Sequence, residues 1–120
     1  MKKLLAVLTV LLFVCANSYA QSSVQSGTFF ISKDANQNFT LHTNQGKRSV
    51  EIEVNFNKPF DKKPKVVLMP SLIDAERSTQ VRYNLKTVGV SRDGFTLMVE
   101  VWGDTQFNSI GGFWIAHTEE

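Results

Sequence analysis

Residues 81–102 read VRYNLKTVGVSRDGFTLMVEVW, two runs of alternating polarity on either side of Arg92-Asp93-Gly94. Val81, Tyr83 and Leu85 alternate with Arg82, Asn84 and Lys86, and Phe95, Leu97, Val99 and Val101 alternate with Thr96, Met98, Glu100 and Trp102. Period two over that length is the pattern of strands with one face against a core. A three-residue hairpin loop calls for positive φ at its third residue, which assigns Gly94 that role and pairs Ser91 with Phe95. The resulting register opposes Thr87 to Val99 and Leu85 to Val101 on the inner face. On the outer face it opposes Lys86 to Glu100 and Arg82 to Asp104, each pair being worth roughly 0.2–1 kcal/mol.

That register makes Trp102 informative. Its parity is that of the outer face, opposite Asn84 and diagonal to Arg82, about 7–8 Å away between backbones. An indole offers a flat apolar platform, and Arg82 with Asp104 offers directional donors and acceptors at the same end of the sheet. A pyranose ring matches both, with one C–H face and hydroxyls around its edge. The same parity also fits an indole packed against another sheet or protomer, with Arg82 and Asp104 as an ordinary surface pair.

Outward from the hairpin, the rest of the chain follows the same grammar. Val50, Ile52, Val54 and Phe56 share one parity and Ser49, Glu51, Glu53 and Asn55 the other, a half-buried strand followed by the polar connection NKPFDKK. Residues 65–73 (KVVLMPSLI) and 110–116 are apolar on both parities, which predicts burial on both faces. Toward the N-terminus, Val24 to Ser32 and Phe39 to Thr43 each read as strand, with DANQN between them as a turn. Short strands separated by turn residues every eight to twelve positions predict an all-β antiparallel sandwich. Two doubly apolar strands exceed what one small core requires, so the spare face is expected to meet other copies of the chain.

Residues 1–20 are read as a signal peptide. Lys2 and Lys3 precede an apolar run from Leu4 to Val14, and Ser18-Tyr19-Ala20 supplies small residues for cleavage after Ala20. The run is too short to span a bilayer, so export to a secreted or periplasmic location is expected, with no membrane span. Residues 21–120 then form one domain. Of 13 basic residues two lie in the leader, leaving 13 − 2 = 11 against 11 acidic ones. That balance gives no reason to expect nucleic acid as a partner. The single cysteine, Cys15, falls in the leader, so no disulfide is expected and oligomerisation becomes a natural source of stability. With only His42 and His117 beside it, no metal site and no cofactor is expected.

An enzyme is poorly supported. Neither histidine has a nucleophile and an acid at a spacing that indicates a triad, and Glu51 and Glu53 read as one solvated strand face. Asn38-Phe39-Thr40 is an N-glycosylation sequon of a kind that chance often produces.

Four ordered segments resemble the H-type lectin domain of snail agglutinins and of the discoidin C-terminal region. They are VQSGTF, VNFNKPFDKKPKVVLMPSLID, QVRYNLKTVGVSRDGFTLMVEVWGDTQF and GGFWIAH. The combination is specific: aromatics around a proline, an arginine strand, GF, then W-x-[DN]-T and a terminal FWIA.

The resemblance implies a six-stranded antiparallel β-sandwich that assembles as a homotrimer, with the pairing of trimers left open. It implies sites for galactose or N-acetylgalactosamine type glycans shared between protomers. Arg82 and Trp102 correspond to the sugar-binding arginine and tryptophan. Asp104 stands where the snail-type proteins have asparagine in W-H-N-T, and Gly103 where they have histidine. Asn108 aligns with a contacting tyrosine. Asn44, Gln45 and Gly46 replace a loop that supplies an acidic contact from a neighbouring protomer. Val99 occupies one likely half of the snail disulfide. A lectin with a cell-adhesion role is therefore expected. The alternative is a secreted structural or protein-binding module without sugar binding, in which Trp102 is an interface anchor.

Overall fold

The computed structural model describes residues 23–119, so the expected leader, with Cys15 and the cleavage point, lies outside the described residues. Six strands run β1 Val24–Ser32, β2 Arg48–Asn55, β3 Lys65–Ala75, β4 Tyr83–Val88, β5 Gly94–Val101 and β6 Phe107–His117. They form two three-stranded antiparallel sheets, ordered β1-β6-β3 and β2-β5-β4. Among the described residues no helix is long and apolar enough to cross a membrane.

Alternation built this arrangement. On one sheet Phe29, Ile31, Ile110, Trp114 and Ala116 turn inward, and on the other Val50, Leu97, Val99 and Val101 do so, all buried. Phe56 and Phe60 close the end where β5 begins, meeting edge-on at 4.9 Å between centroids, and Phe56 also reaches the Trp114 ring at 5.7 Å. Buried aromatic and branched side chains from both sheets make one continuous core.

Five sequence expectations are corrected. Phe39 to Thr43 is not a strand. Phe39 and Leu41 are buried as their alternation suggested, but the segment turns, with the Thr43 N–H donating to the Thr40 carbonyl at 3.2 Å. Apolar alternation recorded burial there, while a lone backbone bond to the next sheet, from the Phe107 N–H to the Leu41 carbonyl at 2.8 Å, was too little for a ladder.

Gly94 is not the positive-φ residue of the hairpin, a role taken by Gly89 at φ 62°. Gly94 lies inside β5 opposite Asn55, where a Cβ would collide with the Val54 carbonyl oxygen. The longer loop shifts the β4–β5 register by two residues, so that Leu85 faces Val99 and Asn84 faces Glu100. Val81, expected to point inward, is exposed and precedes β4.

Neither doubly apolar strand is buried on both faces within the protomer: β6 buries one face, and β3 reaches only partial burial at Val66, Leu68 and Ala75. Register places Phe30 beside Gly111, Phe113 between Thr28 and Met69, and Val67 beside Ile115 on the outer face of the β1-β6-β3 sheet. Phe30 is 57% exposed and Phe113 50%, with Val67, Met69 and Leu72 also exposed. Lys65 and Asp74 flank this face at the two ends of β3, leaving its centre free of charge.

Candidate functional site

The turn from β5 to β6 carries the indole. Trp102 leaves the end of β5 at 42% exposure, and the chain reverses through Gly103 at φ 66°, a conformation a side chain would strain. Above Gly103 lies the Arg82 side chain, 3.8 Å from where a Cβ would stand. Arg82 Nη1 donates to Asp104 Oδ1 at 2.5 Å, and both side chains remain about half exposed. Solvent screening at that exposure leaves the pair worth about 0–1 kcal/mol to stability. Its consequence is geometric: the guanidinium is fixed beside the turn that bears Trp102, with remaining N–H groups and a carboxylate oxygen open to a ligand.

The structure therefore brings Arg82 and Asp104 into contact through a register different from the expected one. One step beyond the Tyr83–Val101 pair, Arg82 stands across from Trp102 rather than diagonal to it. Lys86 likewise reaches Glu100 at 2.8 Å on a diagonal. Long side chains span that distance, so both ion pairs survive a two-residue slide. The Lys86 hydrogen bond holds the Glu100 carboxyl below its ordinary range, against a smaller opposing effect of desolvation.

The other expected rim residues fall into two groups. Asn44, Gln45 and Gly46 are exposed in the loop before β2. Asn108 is half-buried in β6, its Oδ1 sealed from solvent with no partner among the described residues.

Two residues beneath the site escaped the sequence reading. Arg48, only 8% exposed, donates from Nε to the Gly46 carbonyl at 2.9 Å, from Nη1 to the Thr105 carbonyl at 2.7 Å and from Nη2 to the Gly103 carbonyl at 2.9 Å. Burial pushes its guanidinium pKa down, and the Asp104 charge opposes that shift. Thr105 is fully buried, and its Oγ1 accepts from the Arg82 N–H at 2.9 Å. The available signal was parity: Arg48 shares the inward parity of Val50, Ile52 and Val54, where a cation must find buried acceptors. From the outside, Thr79 Oγ1 accepts from the Gln106 N–H at 2.8 Å and steadies the same turn.

A further concavity of about 310 Å³ lies along the edge strand β2, lined by Asn38, Ser49, Glu51, Glu53 and Thr96. Among the described residues no group of three or more His, Cys, Asp or Glu side chains is arranged to hold a metal ion.

A protein of Fuscovulum blasticum described as ATP synthase subunits region ORF 7 is 26% identical over 97 residues, covering 81% of this chain and 84% of that protein. The fold of discoidin II from Dictyostelium discoideum superposes with a TM-score of 0.72 at 24% identity, over 84% of this chain and 38% of the discoidin chain. This chain thus spans well under half the length of that protein. The tailspike of Pseudomonas phage phi297 shares the fold at a TM-score of 0.54 and 14% identity, over 82% of this chain and 16% of the tailspike. The family model for the H-type lectin domain matches residues 51–117, more than half of the chain, and that stretch holds Arg82, Trp102 and Asp104. The chain belongs to the H-type lectin domain family and carries that domain on a six-stranded β-sandwich.

Proposed function

We propose that the protein recognises glycans of the galactose or N-acetylgalactosamine type at the Trp102 end of the sandwich, as a homotrimer with three equivalent sites at protomer boundaries. The observation that carries this reading is the half-exposed indole beside a fixed, solvent-open Arg82–Asp104 pair. The indole takes the C–H face of the ring. Arg82 donates to sugar hydroxyls, and Asp104 both orients Arg82 and accepts from a hydroxyl. The Asn44 to Gly46 loop of a neighbouring protomer completes the rim, and Asn108, whose Oδ1 is sealed, contributes its amide nitrogen.

Trimer assembly is supported by the uncharged apolar face around Phe30 and Phe113, which no part of the described protomer covers. A shallow, wet site binds a single sugar weakly. Three sites engaging one glycan surface together add roughly 10²–10⁴ in avidity, which suits a secreted or periplasmic adhesin.

The test is a glycan array probed with the intact assembly and with Arg82→Ala. The expected result is galactose-type hits that disappear in the variant while light scattering shows an unchanged oligomer. Binding that persists in Arg82→Ala moves the site elsewhere. An array without hits favours the alternative, a protein-binding module that uses the apolar sheet face.

A further inference from the structure

The turn after β5 bears Trp102 and Asp104, and the loop before β2 of the same protomer, which the proposed assembly offers to a neighbour's site, is far from it in sequence. A single buried side chain joins them. Arg48 sits at the first position of β2, opposite Val101, with its guanidinium turned to the loop and the turn at the site end. Its planar fork spends three donors on three backbone carbonyls: Gly46 in the first segment, Gly103 and Thr105 in the second. Those carbonyls belong to the residues that flank Trp102 and Asp104 on the turn and to the end of the Asn44 to Gly46 loop.

The link continues to the site's own side chains. Thr105 Oγ1 accepts the Arg82 N–H at 2.9 Å, and the Thr105 N–H points at the Trp102 carbonyl at 3.5 Å. A shift of Thr105 therefore moves the backbone of both Arg82 and Trp102. Stability alone gives little reason for the arrangement. A buried cation loses its hydration, and an apolar side chain of similar volume often serves a core as well or better. What a guanidinium supplies and an apolar group does not is fixed, directional geometry toward several acceptors at once.

We propose that Arg48 is the positioning residue of the sugar site: it fixes the Trp102–Thr105 turn of its own site and, in the same grip, the Gly46 loop offered to the neighbouring site, and so governs glycan affinity without touching the glycan. This rests on the lectin reading above for its functional half, while its structural half stands on the Arg48 contacts alone. Lysine is the discriminating replacement. It keeps the charge, but its compact head cannot address three carbonyls in one plane.

The experiment compares the full chain with Arg48→Lys in two readouts. The indole N–H signals of Trp102 and Trp114, distinguished by Trp102→Phe, report the turn and the core separately. Glycan affinity is measured on the strongest array hit of the unaltered protein. In Arg48→Lys the Trp102 signal is expected to shift or broaden, the Trp114 signal to stay, and affinity to fall at least fivefold. Thr105→Val, which removes the acceptor of the Arg82 N–H, is expected to do the same, and Thr105→Ser to restore it. An unchanged Trp102 signal, a smaller loss of affinity, or equal movement of the Trp114 signal overturns the proposal, the last because it makes Arg48 a general core element. If the unaltered protein binds no glycan, the lectin reading fails by itself, and the Trp102 signal alone decides whether Arg48 positions the turn.

Discussion

Replacing Phe113 by Asp tests the assembly on which shared sites depend. Phe113 is half exposed in the middle of the β1-β6-β3 sheet, flanked by Thr28 and Met69 and near Phe30. An aromatic side chain presents about 150–250 Å² in all, so half of it leaves roughly 100 Å² to be covered by a neighbour. At about 25 cal/mol per Å² this is roughly 2.5 kcal/mol for each protomer, or about 7 kcal/mol over three. The aspartate also places an unpaired carboxylate on a face with no cation nearer than the strand ends, which adds a desolvation penalty. Phe113 points away from the protomer core, so the fold itself should be retained. Size-exclusion chromatography with light scattering at micromolar concentration is expected to show a trimer for the unaltered protein and a folded monomer for Phe113→Asp. Glu53→Lys, on the outer face of the opposite sheet, serves as the control and should stay trimeric. A trimer that survives Phe113→Asp, or an unaltered protein that is monomeric, refutes the assignment of this face to assembly.

Gly94→Ala should cost about 1–3 kcal/mol, because its Cβ meets the Val54 carbonyl within the β2–β5 ladder; an unchanged urea midpoint would refute the close approach. Lys86→Met should raise the Glu100 carboxyl pKa toward its ordinary value in a carboxyl NMR titration. Because that pKa is lowered in the folded state, the stability it brings is present above the unfolded carboxylate pKa and is lost as pH falls through the lowered value. A Glu100 midpoint that does not move would deny the Lys86 hydrogen bond. Dialysis against a chelator should leave glycan binding unchanged, and a loss restored by calcium would show a metal role that the side chains give no sign of.

Much of the fold was legible because burial dictates period two. VQSGTFFIS reads as a strand, and β1 runs from Val24 to Ser32. Phe39 and Leu41 show the limit of that signal: alternation identifies which side chains are buried, while the ladder depends on partners that lie far off in sequence. Register shows a second limit. Lys86–Glu100 and Arg82–Asp104 form as expected, yet long charged side chains also reach diagonally, so such pairs fix a hairpin only to within two residues. Local sequence points Gly94 to a turn, because the crowding that demands glycine there comes from β2, about forty residues earlier in the chain. At the site, the exposed members Arg82, Trp102 and Asp104 could be placed from parity and charge. Arg48 and Thr105 could not be given roles that way, since their partners are backbone carbonyls and an amide that carry no signature in side-chain composition.

A crystal of the protein soaked with N-acetylgalactosamine or galactose shows where a saccharide sits. The expected density is a sugar ring with its C–H face on Trp102 and hydroxyls within hydrogen-bond distance of Arg82 and Asp104. Saccharide density elsewhere, such as along the Glu51–Glu53 edge of β2, with the Trp102 surface bare, would contradict that placement.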